Sequence, residues 1–137
     1  MATEATLVID ADLPKRIATE LNRRGRTAIA LSELLLHRSL DPDLLRALAD
    51  HFGDAPWVLV TGDDAMPAVH PEVINEVHAT LSTIDPRRSR GYADDQAQDA
   101  WRREIVHRWA HKMALQAPGT IRRYAENGGR TWTRRRR

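Results

Sequence analysis

The 137-residue chain has no cysteine, and its uninterrupted apolar stretches, such as Trp57-Val-Leu-Val60, span only a few residues. The first absence excludes a disulfide scaffold, thiolate-ligated zinc, iron–sulfur clusters and a thiol nucleophile, and it fits a reducing cytoplasm, the expected location. The second excludes a membrane-spanning helix, so no membrane partner is expected. Met1-Ala-Thr-Glu-Ala-Thr6 carries no basic segment ahead of the three-residue run Leu7-Val-Ile9, so no signal peptide is expected either. Phosphate-loop glycines and lysine are missing around Thr61-Gly62, and no Ser–His–Asp order stands out. His107 and His111 lie one helical turn apart, but without the glutamate of a His-Glu-x-x-His zinc motif they read as solvated or boundary residues.

What the chain does contain is enough apolar material, 42%, for one packed domain, and a charge distribution that its net +2 conceals. Residues 120–137 hold seven arginines and one acid, Glu126, a surplus of +6, which leaves −4 for the other 119 residues. The expected division is therefore an α/β domain over 1–119 and a basic extension over 120–137. Arginines in such a cluster (Arg122, Arg123, Arg130, Arg134, Arg135, Arg136 and Arg137) neutralise phosphates and gain affinity by counterion release. The plain alternative is a solvated terminus.

Strand and helix signals alternate along the chain. Thr6–Asp10, Thr27–Leu31 and Trp57–Val60 read as buried strands, and His78–Ile84 as a fourth. Asp12-Leu-Pro14 and Asp41-Pro42-Asp43 each look like a capped helix start, with Gly25 closing the first helix and Pro71–Val77 adding a short one. Ala97, Trp101, Ile105, Trp109 and Met113 recur every four residues, which predicts a long amphipathic helix from Ala93 to about Gln116. Beyond Pro118-Gly119, Thr120–Tyr124 and Arg130–Thr133 suggest a small hairpin across Asn127-Gly128-Gly129. This pattern calls for a three-layer α/β fold with a mainly parallel central sheet.

In such a sheet ligands bind outside the carboxyl ends of the strands, and the acids fall there. Asp10 ends the first strand, Asp63 and Asp64 follow the third, Asp12 lies beside Asp10, Asp41 begins the helix leading into the third strand, and Glu33 follows the second. Carboxylates gathered at one edge repel unless a cation neutralises them, and an all-oxygen set favours Mg or Mn. Such an ion beside a phosphodiester would support metal-assisted cleavage of a nucleic acid. Asp12 and Asp41 fit equally as helix caps, and Asp64 as a turn residue. Trp132 and Tyr124 stand among the arginines, where they would stack on bases or simply dock the hairpin.

Three elements resemble a known family. Leu7-Val-Ile-Asp10-Ala-Asp12-Leu-Pro14 resembles the first-strand motif of PIN-like nucleases, in particular the short VapC-like branch with its Asp-x-Asn-Leu-Pro signature. Val58-Leu-Val-Thr61-Gly-Asp63-Asp64 is similar to that branch's Leu-Val-Thr-x-Asp motif, and Ser39-Leu-Asp41-Pro-Asp43-Leu-Leu45 to its Ser-Asp-x-x-Leu-Leu element. The resemblance spans residues 6 to about 84 and implies a PIN-like fold and an Mg- or Mn-dependent endoribonuclease, commonly the toxin of a toxin–antitoxin pair with an antitoxin protein as partner. It assigns Asp10, Asp41 and Asp63 as catalytic metal ligands, with Asp12 and Asp64 beside them. Asp12 stands where the signature usually has Asn, and the mid-chain acid of longer relatives has no clear equivalent, Glu33 and Asp43 being the substitutes on offer. An incomplete set would leave a catalytically weak module that holds RNA or an acidic partner protein through its arginines. A homodimer through the apolar face of the long helix is the remaining partner expectation.

Overall fold

A computed structural model describes residues 4–34, 41–86 and 94–134. Six strands form one sheet: β1 (Thr6–Ile9), β2 (Ala28–Ala30), β3 (Trp57–Thr61), β4 (Leu81–Ile84), β5 (Ile121–Ala125) and β6 (Gly128–Thr131). Their order is β2-β1-β3-β4-β5-β6; the first five run parallel and β6 is antiparallel to β5. Five helices accompany them among the described residues: α1 (Arg16–Arg23), α2 (Asp41–Phe52), α3 (Met66–Val69), α4 (Pro71–Val77) and α5 (Asp95–Ala114). None is long and apolar enough to cross a membrane.

The strands are apolar at successive positions because both faces of the sheet are covered. Leu7 and Ile9 of β1 with Val58 and Val60 of β3 pack against Ile17, Ala18 and Leu21 of α1 and Trp101, Ile105, Val106, Ala110 and Met113 of α5. The intervening Val8 and Leu59 face the other way, onto Leu44, Leu45 and Leu48 of α2, Met66 of α3 and Val73 and Ile74 of α4. The result is three layers, and each large side chain so enclosed contributes about 1.5–3 kcal/mol. The apolar stripe of α5 is thus the floor of this chain's own core, not a surface for a second copy, which removes the basis of the dimer expectation.

The remaining differences from the sequence reading have local causes. The first helix starts at Arg16, with Lys15 at its N-cap and no side-chain cap, because Asp12 is engaged elsewhere. The fourth strand begins at Leu81 and not at His78, since His78 takes a left-handed φ of 55° that closes α4. The expected C-terminal hairpin forms, β5 with antiparallel β6, and it joins the main sheet: β5 pairs in parallel with β4 from Leu81↔Ile121 to Ile84↔Tyr124. The hairpin turn lies at Glu126-Asn127, one step earlier than expected. Gly129 stays in the strand because the Tyr124 ring covers it; a Cβ there would lie 2.5 Å from that ring.

Chain order and sheet order together create the crevice. From β1 the chain passes to β2 on one side, then crosses to β3 on the other, so β1 and β3 are neighbours whose following segments diverge. Such a switch leaves an opening at the carboxyl ends of the two strands.

Candidate functional site

Asp10, directly after β1, and Thr61, the last residue of β3, lie side by side. The Thr61 hydroxyl, fully buried, donates to Asp10 Oδ2 at 2.7 Å, and the Ala11 N–H donates to Asp10 Oδ1 at 2.7 Å. Thr61 Oγ1 accepts in turn from the Asp63 N–H at 3.0 Å, which fixes the turn that carries Asp63. The exposed Asp63 carboxylate accepts the Ala65 N–H at 3.1 Å. Asp12 reaches across the crevice, and its Oδ1 accepts the Gly62 N–H at 3.2 Å. Its alternative as a helix cap is therefore set aside.

The Asp12 carboxyl is pushed up to about 6, first by burial, then by the neighbouring Asp10 charge and to a lesser degree by Asp63; the Gly62 N–H and the Arg102 guanidinium act against this. Gly62 itself must lack a side chain. A Cβ there would lie 2.8 Å from Asp12 Oδ2 and 3.3 Å from both Cζ and Nη1 of Arg102, which arrives from α5.

Asp64, although adjacent, faces the other way. It is buried and accepts from Arg123 Nε at 2.8 Å and Nη2 at 2.6 Å, from the Thr83 hydroxyl at 2.7 Å and from Trp132 Nε1 at 3.1 Å. The Arg123 guanidinium also lies 5.5 Å from the Trp132 ring centre, and its Nη2 donates to the Thr133 carbonyl at 2.9 Å. This cluster clamps the chain end onto the carboxyl end of β3 and is structural. Tyr124 is buried in the core, so neither aromatic residue is a free stacking platform.

The other expected residues are placed as follows. The side chain of Asp41 and residues Arg135, Arg136 and Arg137 lie outside the described residues. Glu33 is exposed in the turn after β2, and Asp43 lies 3.8 Å from Arg46. Arg122 Nη2 donates to the Gly129 carbonyl, and Arg130 is 3.5 Å from Asp85. His107 and His111 face separate carboxylates, Glu20 at 3.2 Å and Glu4 at 2.9 Å, and do not share a ligand position.

Asp10, Asp12 and Asp63 are thus brought to one opening and Asp64 is not. Oxygen donors, with one carboxyl raised first by burial and then by the charges of its neighbours, suit a hard divalent cation, which would relieve that repulsion. Among the described residues no three His, Asp or Glu side chains already converge as a metal cage. Three participants escape sequence reasoning. Thr61 and Gly62 lie inside the motif but carry no charge to mark them, and Arg102 sits 40 residues beyond Gly62 in a helix where every other signal is apolar spacing. Neither a protein-family profile, a curated protein nor a solved structure matches the chain.

Proposed function

We propose that the chain is a metal-dependent endoribonuclease with a PIN-like architecture, cleaving phosphodiesters at the β1/β3 opening. The observation that carries this reading is the meeting of Asp10, Asp12 and Asp63 at the switch point of the sheet, tied to one another through Thr61 and Gly62. Asp10, Asp63 and Asp12 would hold Mg or Mn, with Asp41 as the fourth candidate from the resemblance; when bound, the ion polarises a non-bridging phosphate oxygen and acidifies water.

The chain's own residues do the positioning. Thr61 and the Ala11 N–H hold both oxygens of Asp10, which fixes that carboxylate before any ligand arrives. The Gly62 N–H holds one oxygen of Asp12 and leaves Oδ2 towards Arg102. The bare backbone at Gly62 keeps the floor of the opening low enough for a phosphate to approach. The net reaction adds water across a P–O bond, leaving a phosphomonoester on one fragment and a hydroxyl on the other. Arg134–Arg137, which follow the Asp64 clamp in the sequence, supply charge for the flanking phosphates, and the resemblance adds an antitoxin protein as the cellular partner.

The test is degradation of a labelled RNA by purified protein with Mg or Mn, beside Asp10→Asn and Asp63→Asn prepared identically. Loss of cleavage by 100-fold or more in both variants, with folding intact, is expected. Equal rates in parent and variants would overturn the reading.

A further inference from the structure

Arg102 differs from the other arginines of α5: among the described residues it has no hydrogen-bonded or ion-paired partner, and acts on Asp12 only through its charge. Arg103, one position on, is engaged by Glu20, and Arg108 by Glu104 and the Glu126 carbonyl. Among the described residues no hydrogen bond and no ion pair within 4 Å involves Arg102, and its Nε is buried without an acceptor. Its backbone is well anchored: the neighbouring Trp101 is buried and donates from Nε1 to Glu126 at 3.1 Å. A helix that holds the stem of an arginine firmly and leaves its buried Nε without an acceptor among the described residues calls for an explanation, because buried guanidinium nitrogens are otherwise satisfied.

The position of that head supplies one. Its Cζ and Nη1 lie 3.3 Å from the point above Gly62 where a side chain would begin, and Asp12 Oδ2 lies 2.8 Å from the same point. A cation and a carboxylate thus flank the bare floor of the opening from opposite elements, α5 and the β1–α1 loop, without closing on each other into an ion pair.

We infer that Arg102 is the group that receives the substrate's phosphate, its guanidinium fork binding the non-bridging oxygens of the phosphodiester lodged over Gly62. This rests on the reading of the opening as a nuclease site. A planar fork matches two phosphate oxygens at once, which a lysine at the same position does not. As charge builds on those oxygens during hydrolysis the contact strengthens, so Arg102 contributes more to turnover than to binding.

The experiment uses the full chain and Arg102→Ala, Arg102→Lys and Arg102→Gln, with Arg103→Ala as the neighbouring control and Asp10→Asn as the chemistry control. Affinity for a fluorescent single-stranded RNA is read by anisotropy in EDTA, cleavage is read with Mg or Mn, and thermal melting confirms folding. Arg102→Ala and Arg102→Gln are expected to weaken binding about 10-fold and to slow cleavage about 100-fold, with Arg102→Lys between them and the parent and Arg103→Ala equal to the parent. Cleavage within twofold of the parent in Arg102→Ala while Asp10→Asn is inactive would overturn the assignment and leave the nuclease reading standing. A parent that cleaves nothing overturns the nuclease reading, and the anisotropy in EDTA then decides Arg102 alone: unchanged affinity in Arg102→Ala overturns it.

Discussion

Asp12 illustrates how a residue can be placed correctly and its partner missed. Its position after β1 marks it as part of the edge, but a capping and a ligating role fit the same letters, and only the fold brings the Gly62 N–H, 50 residues away, into contact. Its carboxyl, raised to about 6 from an ordinary value of 3.8, makes a specific stability prediction for metal-free protein. A folded-state value above the unfolded one means that the folded chain binds the proton more tightly. Asp12 therefore costs nothing below about pH 4, and its penalty grows as pH rises from 3.8 through 6. The residue keeps solvent exposure, so screening trims the effect to about 1 kcal/mol. Asp12→Asn retains an oxygen for the Gly62 N–H and removes the charge. Thermal melts in EDTA should show this variant a few degrees more stable than the parent at pH 7.5 and equal to it at pH 4; a variant less stable at pH 7.5 contradicts the electrostatic account.

At the scale of elements, the periodic features were legible. The runs at Thr6–Ile9 and Trp57–Thr61, the spacing of Trp101, Ile105 and Met113, and the alternation of strands with helices lead to a parallel sheet with covered faces, as found. Pairing between distant elements was not legible. Arg123 and Asp64 are 59 residues apart and each carries a charge that suits solvent, RNA or metal as well as it suits the other. Their union follows from β5 entering the main sheet beside β4, which no local pattern announces because Thr120–Tyr124 reads equally as half of an isolated hairpin. The pair is buried and shared with Thr83 and Trp132, so removing one member leaves an unbalanced charge in a dry site. Asp64→Asn and Arg123→Met should each lose about 3–5 kcal/mol in urea unfolding. The double variant should lose clearly less than the sum, since neither charge is then stranded. Additive losses would show that the two side chains do not act as a pair.

For the whole molecule, the contrast between an acidic body and a basic end survives in altered form. Of the seven arginines after residue 119, Arg122 and Arg123 donate to the fold's own carbonyls and carboxylates, and Arg130 lies near Asp85. We expect the contribution to a phosphate backbone to come from the run Arg134–Arg137. That run follows a defined place, because Trp132 donates to the Asp64 carbonyl at 3.1 Å and Arg123 holds the Thr133 carbonyl, which keeps Thr133 near the end of β3. Four residues extend at most about 14 Å, enough to reach along a strand seated at the opening. Among the described residues the clamp ends at Thr133. Removing residues 134–137 should lower RNA affinity in a salt-dependent way. Four fewer phosphate contacts on a single strand should flatten the plot of log affinity against log salt by about 3. Anisotropy titrations across a range of salt, on parent and truncated chains, measure that slope directly. Identical slopes would show that the terminal arginines do not touch the nucleic acid and would return them to the role of a solvated terminus.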